Sequence, residues 1–359
     1  MKRLIILFIV NLLASPVFPQ GISFRSASLD EALRLAGEER KLVFVDCFTT
    51  WCAPCIYMTN NVFSRKEAGD FFNKHFINVM FDMEQEEGMK LGHRYAVTSY
   101  PTYLVLAPDG EERYRVIGRY ELQQFIERIS RGLDEKNTLP VLEKEYASGN
   151  MTRERVIDYL VALDDARRDP PLQQIFNEQM SGATLDEKTS LAFWPLMGNP
   201  RINPHSVENA RFVFDHLETF RATIGDAEID TYLHDAYNTL LTQYLVNKKT
   251  GEDAGELVTT LRGQLAARPI PDDALRCKLD IAEALARQQF DRVVILFGEN
   301  ITRFSLVDFE IIMGIFNRLD RKDKALMEKV AVIPLDGITD PTFKLAMRNY
   351  INYFISSET

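Results

Sequence analysis

The feature that most constrains the fold is a change of pattern along the chain, from alternating helix and strand to helix alone. Between Ile22 and Leu133, short apolar and β-branched runs typical of buried strands alternate with segments that carry apolar residues at helical spacing. Such alternation, with a final hairpin at Pro108-Asp109-Gly110, predicts an α/β sandwich with a mixed sheet. The predicted strands are Leu42–Asp46, Ile77–Phe81, Thr102–Ala107 and Tyr114–Ile117.

Several predicted helices begin at a Ser or Thr followed three residues later by Glu, the spacing of a capping box. These pairs are Ser28 with Glu31, Ser64 with Glu67, and Thr184 with Glu187. We expect a helix to start at each of them.

Beyond Leu133 the strand pattern is lost. Residues 134–138 are polar and charged and predict a linker, after which helical-length segments are separated by Pro and Gly clusters such as residues 251–255. This texture predicts an all-α domain of helical-repeat or irregular-bundle type. We therefore divide the chain into a leader, an α/β domain and an α-helical domain at residues 1–20, 21–133 and 134–359.

The leader has the three-part layout of a secretory signal peptide. Lys2 and Arg3 precede an apolar run from Leu4 to Leu13 that only Asn11 interrupts, and small residues and prolines follow. This run is shorter than the roughly 20 residues that a membrane-spanning helix needs. We expect a periplasmic or secreted protein in an oxidising compartment, without a permanent membrane span.

Charge and cysteine usage narrow the class of partner. The chain has 52 acidic and 42 basic side chains, a net charge of −10, which would repel a phosphate backbone and argues against a nucleic-acid partner. It has four cysteines, of which Cys47, Cys52 and Cys55 fall close together while Cys277 stands alone. This arrangement is too sparse for a disulfide framework.

Trp51-Cys52-Ala53-Pro54-Cys55 follows the first predicted strand and lies at the start of a predicted helix. Unpaired N–H groups and the positive end of the dipole at a helix start stabilise a thiolate, so Cys52 is predicted to be the attacking sulfur. Cys55, one turn later, is predicted to resolve the mixed disulfide formed with a substrate cysteine. The expected substrates are cysteine-containing proteins, and the redox group is the Cys52–Cys55 disulfide itself, with no further cofactor.

The segment from Leu42 to Cys55 resembles the thioredoxin family. In that family a buried aspartate six residues before the first cysteine assists proton transfer to the second, and Asp46 occupies this place. The family often has a lysine facing that aspartate, whereas the start of the corresponding strand here carries Asn78.

Two further motifs carry the resemblance. Val97 to Thr102 resembles the cis-proline loop of the family, and Gly118 matches its glycine after the penultimate strand. The resemblance covers residues 22–133 and implies a thioredoxin-like three-layer domain. It also implies that Pro101 is cis and lies beside the sulfurs, and that the backbone of Tyr100 pairs with an extended substrate.

Other interpretations of these residues remain. A zinc site would need ligands beyond the Cys52–Cys55 pair, and no second pair is present for it. A purely structural disulfide across one helical turn would close too small a loop to stabilise much. Trp51 is either a packed aromatic or a substrate contact beside the nucleophile. Cys47 and Cys277 are predicted to be core residues, Cys47 on the sheet face opposite to Asp46.

The sequence therefore favours an exported thiol–disulfide oxidoreductase. Ala53-Pro54 alone does not fix the direction of the reaction. We expect reduction, with electrons from a membrane thiol donor by analogy with similar proteins, whereas an oxidase would need an electron acceptor. One alternative is a helical adaptor whose thioredoxin-like module serves only for docking. The other is a disulfide isomerase with chaperone character.

Overall fold

The structure is a computed structural model that describes residues 21–246 and 254–356. Its contacts divide the chain into two units, the first ending at Gln179 and the second beginning at Met180. The leader predicted for residues 1–20, and residues 251–253 of a predicted break, lie outside the described residues. The domain boundary predicted after Leu133 marks the end of the α/β pattern and stays a prediction.

The first unit contains a four-stranded sheet in the order β2-β1-β3-β4. β1 pairs in parallel with β2, and the remaining pairs, β1 with β3 and β3 with β4, are antiparallel. The mixed sheet predicted from the sequence is confirmed. The strands are β1 Leu42–Phe48, β2 Phe76–Asp82, β3 Thr102–Leu106 and β4 Glu112–Ile117.

Helices cover both faces of this sheet. The helices are α1 Leu29–Glu39, α2 Ala53–Met58, α3 Lys66–His75, α4 Glu86–Arg94 and α5 Leu122–Ser130, with a π-helical turn at Thr59–Phe63 and a 3₁₀ turn at Arg131–Leu133. Val43, Val45 and Cys47 point to the face covered by α1 and α4. Phe44 and Asp46, one residue out of phase, point to the opposite face.

That opposite face is an aromatic core. The Phe44 ring lies 4.6 Å from that of Phe72 in α3 and 5.9 Å from that of Tyr103 in β3, and Phe125 of α5 lies 4.6 Å from Tyr103. Phe63, at the end of the π-helical turn, joins the same cluster. The segment that follows the two cysteines is therefore anchored in the core of the sheet.

Helix starts follow the predicted caps in part. Ser28 caps α1, accepting a hydrogen bond on Oγ from the Glu31 N–H at 3.2 Å. Ser64 was predicted to do the same for the next helix, and this is wrong: α3 begins at Lys66, and Ser64 Oγ donates instead to the carbonyl of Asn60 at 2.7 Å. The Ser64 hydroxyl therefore bonds within the π-helical turn before it and does not cap α3.

After the sheet the first unit continues in helices. Residues 134–138, predicted as a linker, hold a 3₁₀ turn at Glu135–Asn137, and Arg155 donates to the Lys136 carbonyl at 2.6 Å and to Asn137 Oδ1 at 2.8 Å. This segment is therefore fixed in place by side-chain hydrogen bonds. The helices that follow are α6 Leu139–Ala147, α7 Arg153–Asp165 and α8 Asp169–Gly182.

The second unit is built from helices, so the all-α prediction is confirmed for its described residues. Thr184 forms the predicted capping box with Glu187. His216 separates the helix Val207–Asp215 from the helix Leu217–Ile224. The helices are α9 Leu185–Lys188, α10 Trp194–Met197, α11 Val207–Asp215, α12 Leu217–Ile224, α13 Asp226–Leu245, α14 Ala254–Ala267, α15 Asp273–Ala286, α16 Phe290–Glu299, α17 Phe309–Phe316, α18 Lys324–Ala331 and α19 Pro341–Ser356, with 3₁₀ turns at Ile301–Arg303 and Leu306–Asp308.

Helix length and hydropathy show whether a helix could cross a membrane. Across residues 21–246 and 254–356, none of the helices is both long enough and apolar enough to cross a bilayer.

Candidate active site

The two clustered cysteines lie where β1 ends and α2 begins. Cys52 is the N-cap residue of α2, with an extended backbone, and its Sγ accepts a hydrogen bond from the Cys55 N–H at 3.2 Å. Pro54 occupies the first turn, where its missing N–H breaks no helical bond. Cys52 and Cys55 form a disulfide with their Cα atoms 5.3 Å apart.

Burial does not distinguish the two sulfurs, because the exposed fraction is 4% for Cys52 and 5% for Cys55. Their hydrogen bonds do. The Cys55 N–H that points at Cys52 Sγ is one of the amide groups that a helix start leaves without a helical partner. In the reduced protein this N–H would stabilise a thiolate on Cys52, as expected for the attacking sulfur.

Asp46 is buried on β1, with 2% of its surface exposed. In the described part of the chain its Oδ1 has no hydrogen-bond partner, and burial raises the pKa of this carboxyl to about 7. The strand position opposite Asp46 is occupied by Met80. Asn78, considered from the sequence for that position, lies two residues earlier, opposite Phe44.

The cis-proline loop lies next to the last strand of the sheet. The Tyr100–Pro101 peptide bond is cis, as the family resemblance implied. The carbonyl of Pro101 accepts a hydrogen bond from the Gly118 N–H at 3.0 Å. Gly118 has a φ of +116°, a backbone conformation that favours glycine.

Trp51 is exposed rather than packed, with 66% of its surface accessible. Its ring contacts that of Tyr100 edge to face, with centroids 6.4 Å apart, and its indole N–H donates to Glu84 Oε1 at 2.9 Å. The structure therefore brings Trp51 and the Tyr100–Pro101 loop together, and Glu84 orients the indole. Glu84 was not among the site residues predicted from the sequence.

A second group of residues beside α2 was also missed. Tyr57 donates from its hydroxyl to Glu121 Oε1 at 2.7 Å, and the Arg119 guanidinium lies 3.7 Å from the centre of the Tyr57 ring. The Tyr120 N–H donates to Met58 Sδ at 3.4 Å. Residues 118–121, here called the β4–α5 loop, therefore pack against the helix that carries Cys55. The signal that could have found them is their position directly after Gly118.

The remaining cysteines lie elsewhere. Cys47 and Cys277 are free and buried, which confirms their prediction as core residues. Burial raises the pKa of the Cys47 thiol well above its usual value and that of Cys277 to about 11. Among the residues that the structure describes, no cluster of three or more His, Cys, Asp or Glu side chains is arranged to hold a metal ion.

Comparison with known proteins agrees with this geometry. A family model described as a thioredoxin-like domain matches residues 29–132. Thioredoxin H3 of Arabidopsis thaliana is 31% identical over 88 residues, which cover 24% of this chain and 69% of that protein. The thiol:disulfide interchange protein DsbD of Pseudomonas fluorescens is 28% identical over 105 residues, which cover 28% of this chain and 18% of that protein.

Among solved structures, a protein from Bacteroides thetaiotaomicron provisionally assigned as a disulphide-isomerase is 43% identical, with a TM-score of 0.30, over 32% of this chain and 94% of that chain. The chain thus spans most of a small thioredoxin but less than a fifth of DsbD. The matched residues hold Cys52, Cys55 and the cis Pro101. On the strength of these matches, the chain belongs to the thioredoxin-like family.

Proposed function

We propose that this protein is an exported thiol–disulfide oxidoreductase that reduces disulfides in cysteine-containing proteins. The observation that carries the proposal is the hydrogen bond from the Cys55 N–H to Cys52 Sγ at the start of α2. It gives one sulfur of the pair a donor that favours its thiolate, and the other sulfur lies within disulfide distance of it.

The reaction begins with the reduced pair. The Cys52 thiolate attacks one sulfur of the substrate disulfide, so that the substrate S–S bond breaks and its second sulfur leaves as a thiolate and takes up a proton. The Cys55 thiol then loses its proton and attacks Cys52 Sγ. This step breaks the mixed disulfide, releases the first substrate sulfur as a thiol and leaves the Cys52–Cys55 disulfide. Two electrons pass from the pair to the substrate.

Asp46 is the proposed base for the second step. A carboxyl with a pKa of about 7 is half ionised near neutral pH, so it accepts a proton from the Cys55 thiol and returns it as the cycle continues. Its burial on β1 produces this pKa because desolvation disfavours the charged form. Asp46 would therefore set the rate of release of the reduced substrate.

Substrate binding is proposed for the exposed aromatic surface beside the pair. Trp51 offers a flat apolar contact, and the Tyr100 backbone on the cis-proline loop would pair with an extended substrate segment. Export rests on the signal-peptide pattern of residues 1–20, and the reducing direction requires an external electron donor, for which we propose a membrane thiol protein. The helical second unit would recruit or orient substrates.

Insulin reduction by dithiothreitol tests the activity. Cys52→Ser should abolish catalysis, whereas the matched control Cys277→Ser, which removes a buried core thiol, should keep the wild-type rate. Activity that survives Cys52→Ser would refute the enzyme mechanism proposed here. A wild-type protein that reduces no insulin would favour the adaptor.

A trapping experiment tests the two roles. In Cys55→Ser the mixed disulfide on Cys52 cannot be resolved, so a covalent complex with substrate should accumulate that dithiothreitol releases. The double variant Cys52→Ser/Cys55→Ser should give none. Direction is tested by the potential of the pair: a value near −270 mV fits a reductase, and one near −120 mV fits an oxidant and would overturn the direction proposed here.

A further inference from the structure

The helix α7, which follows the thioredoxin-like region in the chain, ends in buried polar contacts with β4 and α5. Asp165 is fully buried, and its Oδ2 accepts a hydrogen bond from the Tyr114 hydroxyl of β4 at 2.7 Å. Its Oδ1 pairs with the Arg128 guanidinium of α5, which also lies 3.5 Å from Asp164. A buried carboxylate with two such partners has few alternative positions, so the end of α7 is fixed against β4 and α5.

Arg167 extends this contact to the end of β4. It follows α7 with a φ of +56°, and its Nη2 donates to the carbonyl of Ile117 at 3.1 Å. The Tyr120 hydroxyl donates to the same carbonyl at 3.0 Å. β4 is an edge strand, so Arg167 satisfies a carbonyl that no neighbouring strand is there to pair.

The β4–α5 loop begins at the next residue and contacts both the cis-proline loop and the helix α2. The Gly118 N–H donates to the carbonyl of the cis Pro101 at 3.0 Å. The Tyr120 N–H donates to Met58 Sδ on α2 at 3.4 Å. The guanidinium of Arg128, which pairs with Asp165, lies 4.5 Å from the centre of the Tyr120 ring. The loop is thus held between α7 on one side and both α2 and Pro101 on the other.

The close approach of Arg167 also restricts the loop. A Cβ atom at Gly118 would lie 2.9 Å from Arg167 Nη2, and the φ of +116° adds a second reason for glycine. Arg119 and Glu121, in contrast, are exposed, so the loop presents charged side chains beside the active-site helix.

We propose that Arg167 is a positioning residue for the redox site, holding the β4–α5 loop in the orientation that receives a protein substrate. The consequence for catalysis rests on the proposed function. Because Arg167 contacts the loop and not the cysteines, it acts on the docking of a folded or extended chain. A small disulfide that reaches Cys52 without touching the loop is unaffected.

The test compares Arg167→Met, Arg167→Lys and the control Arg168→Met in the full chain, with insulin and with hydroxyethyl disulfide as substrates. Arg168 is the neighbouring exposed arginine. For Arg167→Met we expect KM for insulin to rise about fivefold, the factor for one lost hydrogen bond, with kcat and the rate on the small disulfide within about twofold of wild type. Arg167→Lys keeps one donor and should recover most of the loss, and Arg168→Met should match wild type.

Hydrogen exchange of residues 117–123 gives a second readout that needs no activity, and Arg167→Met should speed exchange there while exchange in α3 stays unchanged. An unchanged KM for insulin, an equal loss on both substrates, or unchanged exchange in the loop would each overturn the proposal. A wild-type protein that reduces neither substrate would instead refute the proposed function, and the exchange data would still decide whether Arg167 holds the loop.

Discussion

The start of α2 in the first unit and the middle of α15 in the second both carry a buried cysteine, and the two differ in what surrounds the sulfur. Cys52 and Cys277 have almost the same exposed fraction, 4% and 5%. Cys52 caps a helix, and its Sγ accepts a hydrogen bond from the Cys55 N–H. Cys277 lies within α15, where burial raises the pKa of its thiol to about 11. The hydrogen bond at the helix start, and not a difference in accessibility, therefore distinguishes the surroundings of Cys52 from those of Cys277.

The largest expected effect is a difference in alkylation between these cysteines. Burial raises the pKa of the Cys277 thiol to about 11, so about one in 10⁴ of these thiols is ionised at pH 7, whereas the N–H at the start of α2 stabilises a thiolate on Cys52 of the reduced protein. Iodoacetamide should therefore label Cys52 of the reduced protein far faster than Cys277, as measured by mass spectrometry of time points. Equal rates of labelling at Cys52 and Cys277 would contradict the proposed difference between the two sulfurs.

Asp46, the buried acid on β1, gives a prediction of how stability depends on pH. The folded pKa of Asp46, about 7, lies above its ordinary value of 3.8, so the folded state keeps a proton that the unfolded state releases between these pH values. Stability should fall as pH rises from 4 to 7, and Asp46→Asn should remove that fall. At about 1.4 kcal/mol per pKa unit, the pH-dependent part of the difference reaches about 4 kcal/mol by pH 8.

Urea unfolding of Asp46→Asn and wild type at pH 4, 6 and 8 measures this difference. The control is Asp70→Asn, a surface carboxyl on α3 that pairs with Lys66. A difference that does not change with pH would show that Asp46 is ionised throughout. The same titration should appear in catalysis, where insulin reduction should slow as pH drops below about 7 because the proposed base becomes protonated.

A third prediction concerns where the redox unit ends. A fragment cut after Leu133 loses α7, and with it the buried Asp165 that pairs Tyr114 and Arg128, while a fragment cut after Gln179 keeps them. The shorter fragment should unfold with a free energy lower by about 3 kcal/mol, from the lost ionic contact and the apolar cover of β4. Equal stabilities in urea would place the whole redox unit before residue 134.

The smallest expected effect is on the exposed indole beside the pair. Glu84→Ala removes the acceptor of the Trp51 N–H, and because Trp51 is 66% exposed, water replaces most of that hydrogen bond. We expect KM for insulin to rise about twofold, with kcat unchanged. Glu86→Ala, which removes a carboxylate paired with Lys90, is the matched control. A loss in kcat for Glu84→Ala alone would show that the indole affects chemistry as well as docking.

Local patterns explain how much of the site was accessible from sequence. Cys52 and Cys55 lie after a strand and at the start of a helix. Both elements can be predicted from neighbouring residues: the strand from its apolar run, and the helix start from a proline that the first turn tolerates. Asp46, Pro101 and Gly118 were found by family resemblance, and the structure bears out the burial of Asp46 and the cis bond before Pro101.

Residues whose role depends on distant partners were not accessible in this way. Glu84 reaches Trp51 from 33 positions away, and strand register, which pattern alone does not fix, places Met80 instead of Asn78 across from Asp46.

The sequence by itself determined the alternation that makes a mixed sheet, the all-α character of the second unit and the placement of two cysteines at a helix start, since each follows from the properties of neighbouring residues. Only the tertiary structure decided that Asp165 is buried against Tyr114, 51 positions earlier, and that Arg167 meets the carbonyl of Ile117, 50 positions earlier. Such contacts are set by how α7 packs on the edge of the sheet. No local pattern specifies that packing, because it depends on shape and charge contributed by both segments.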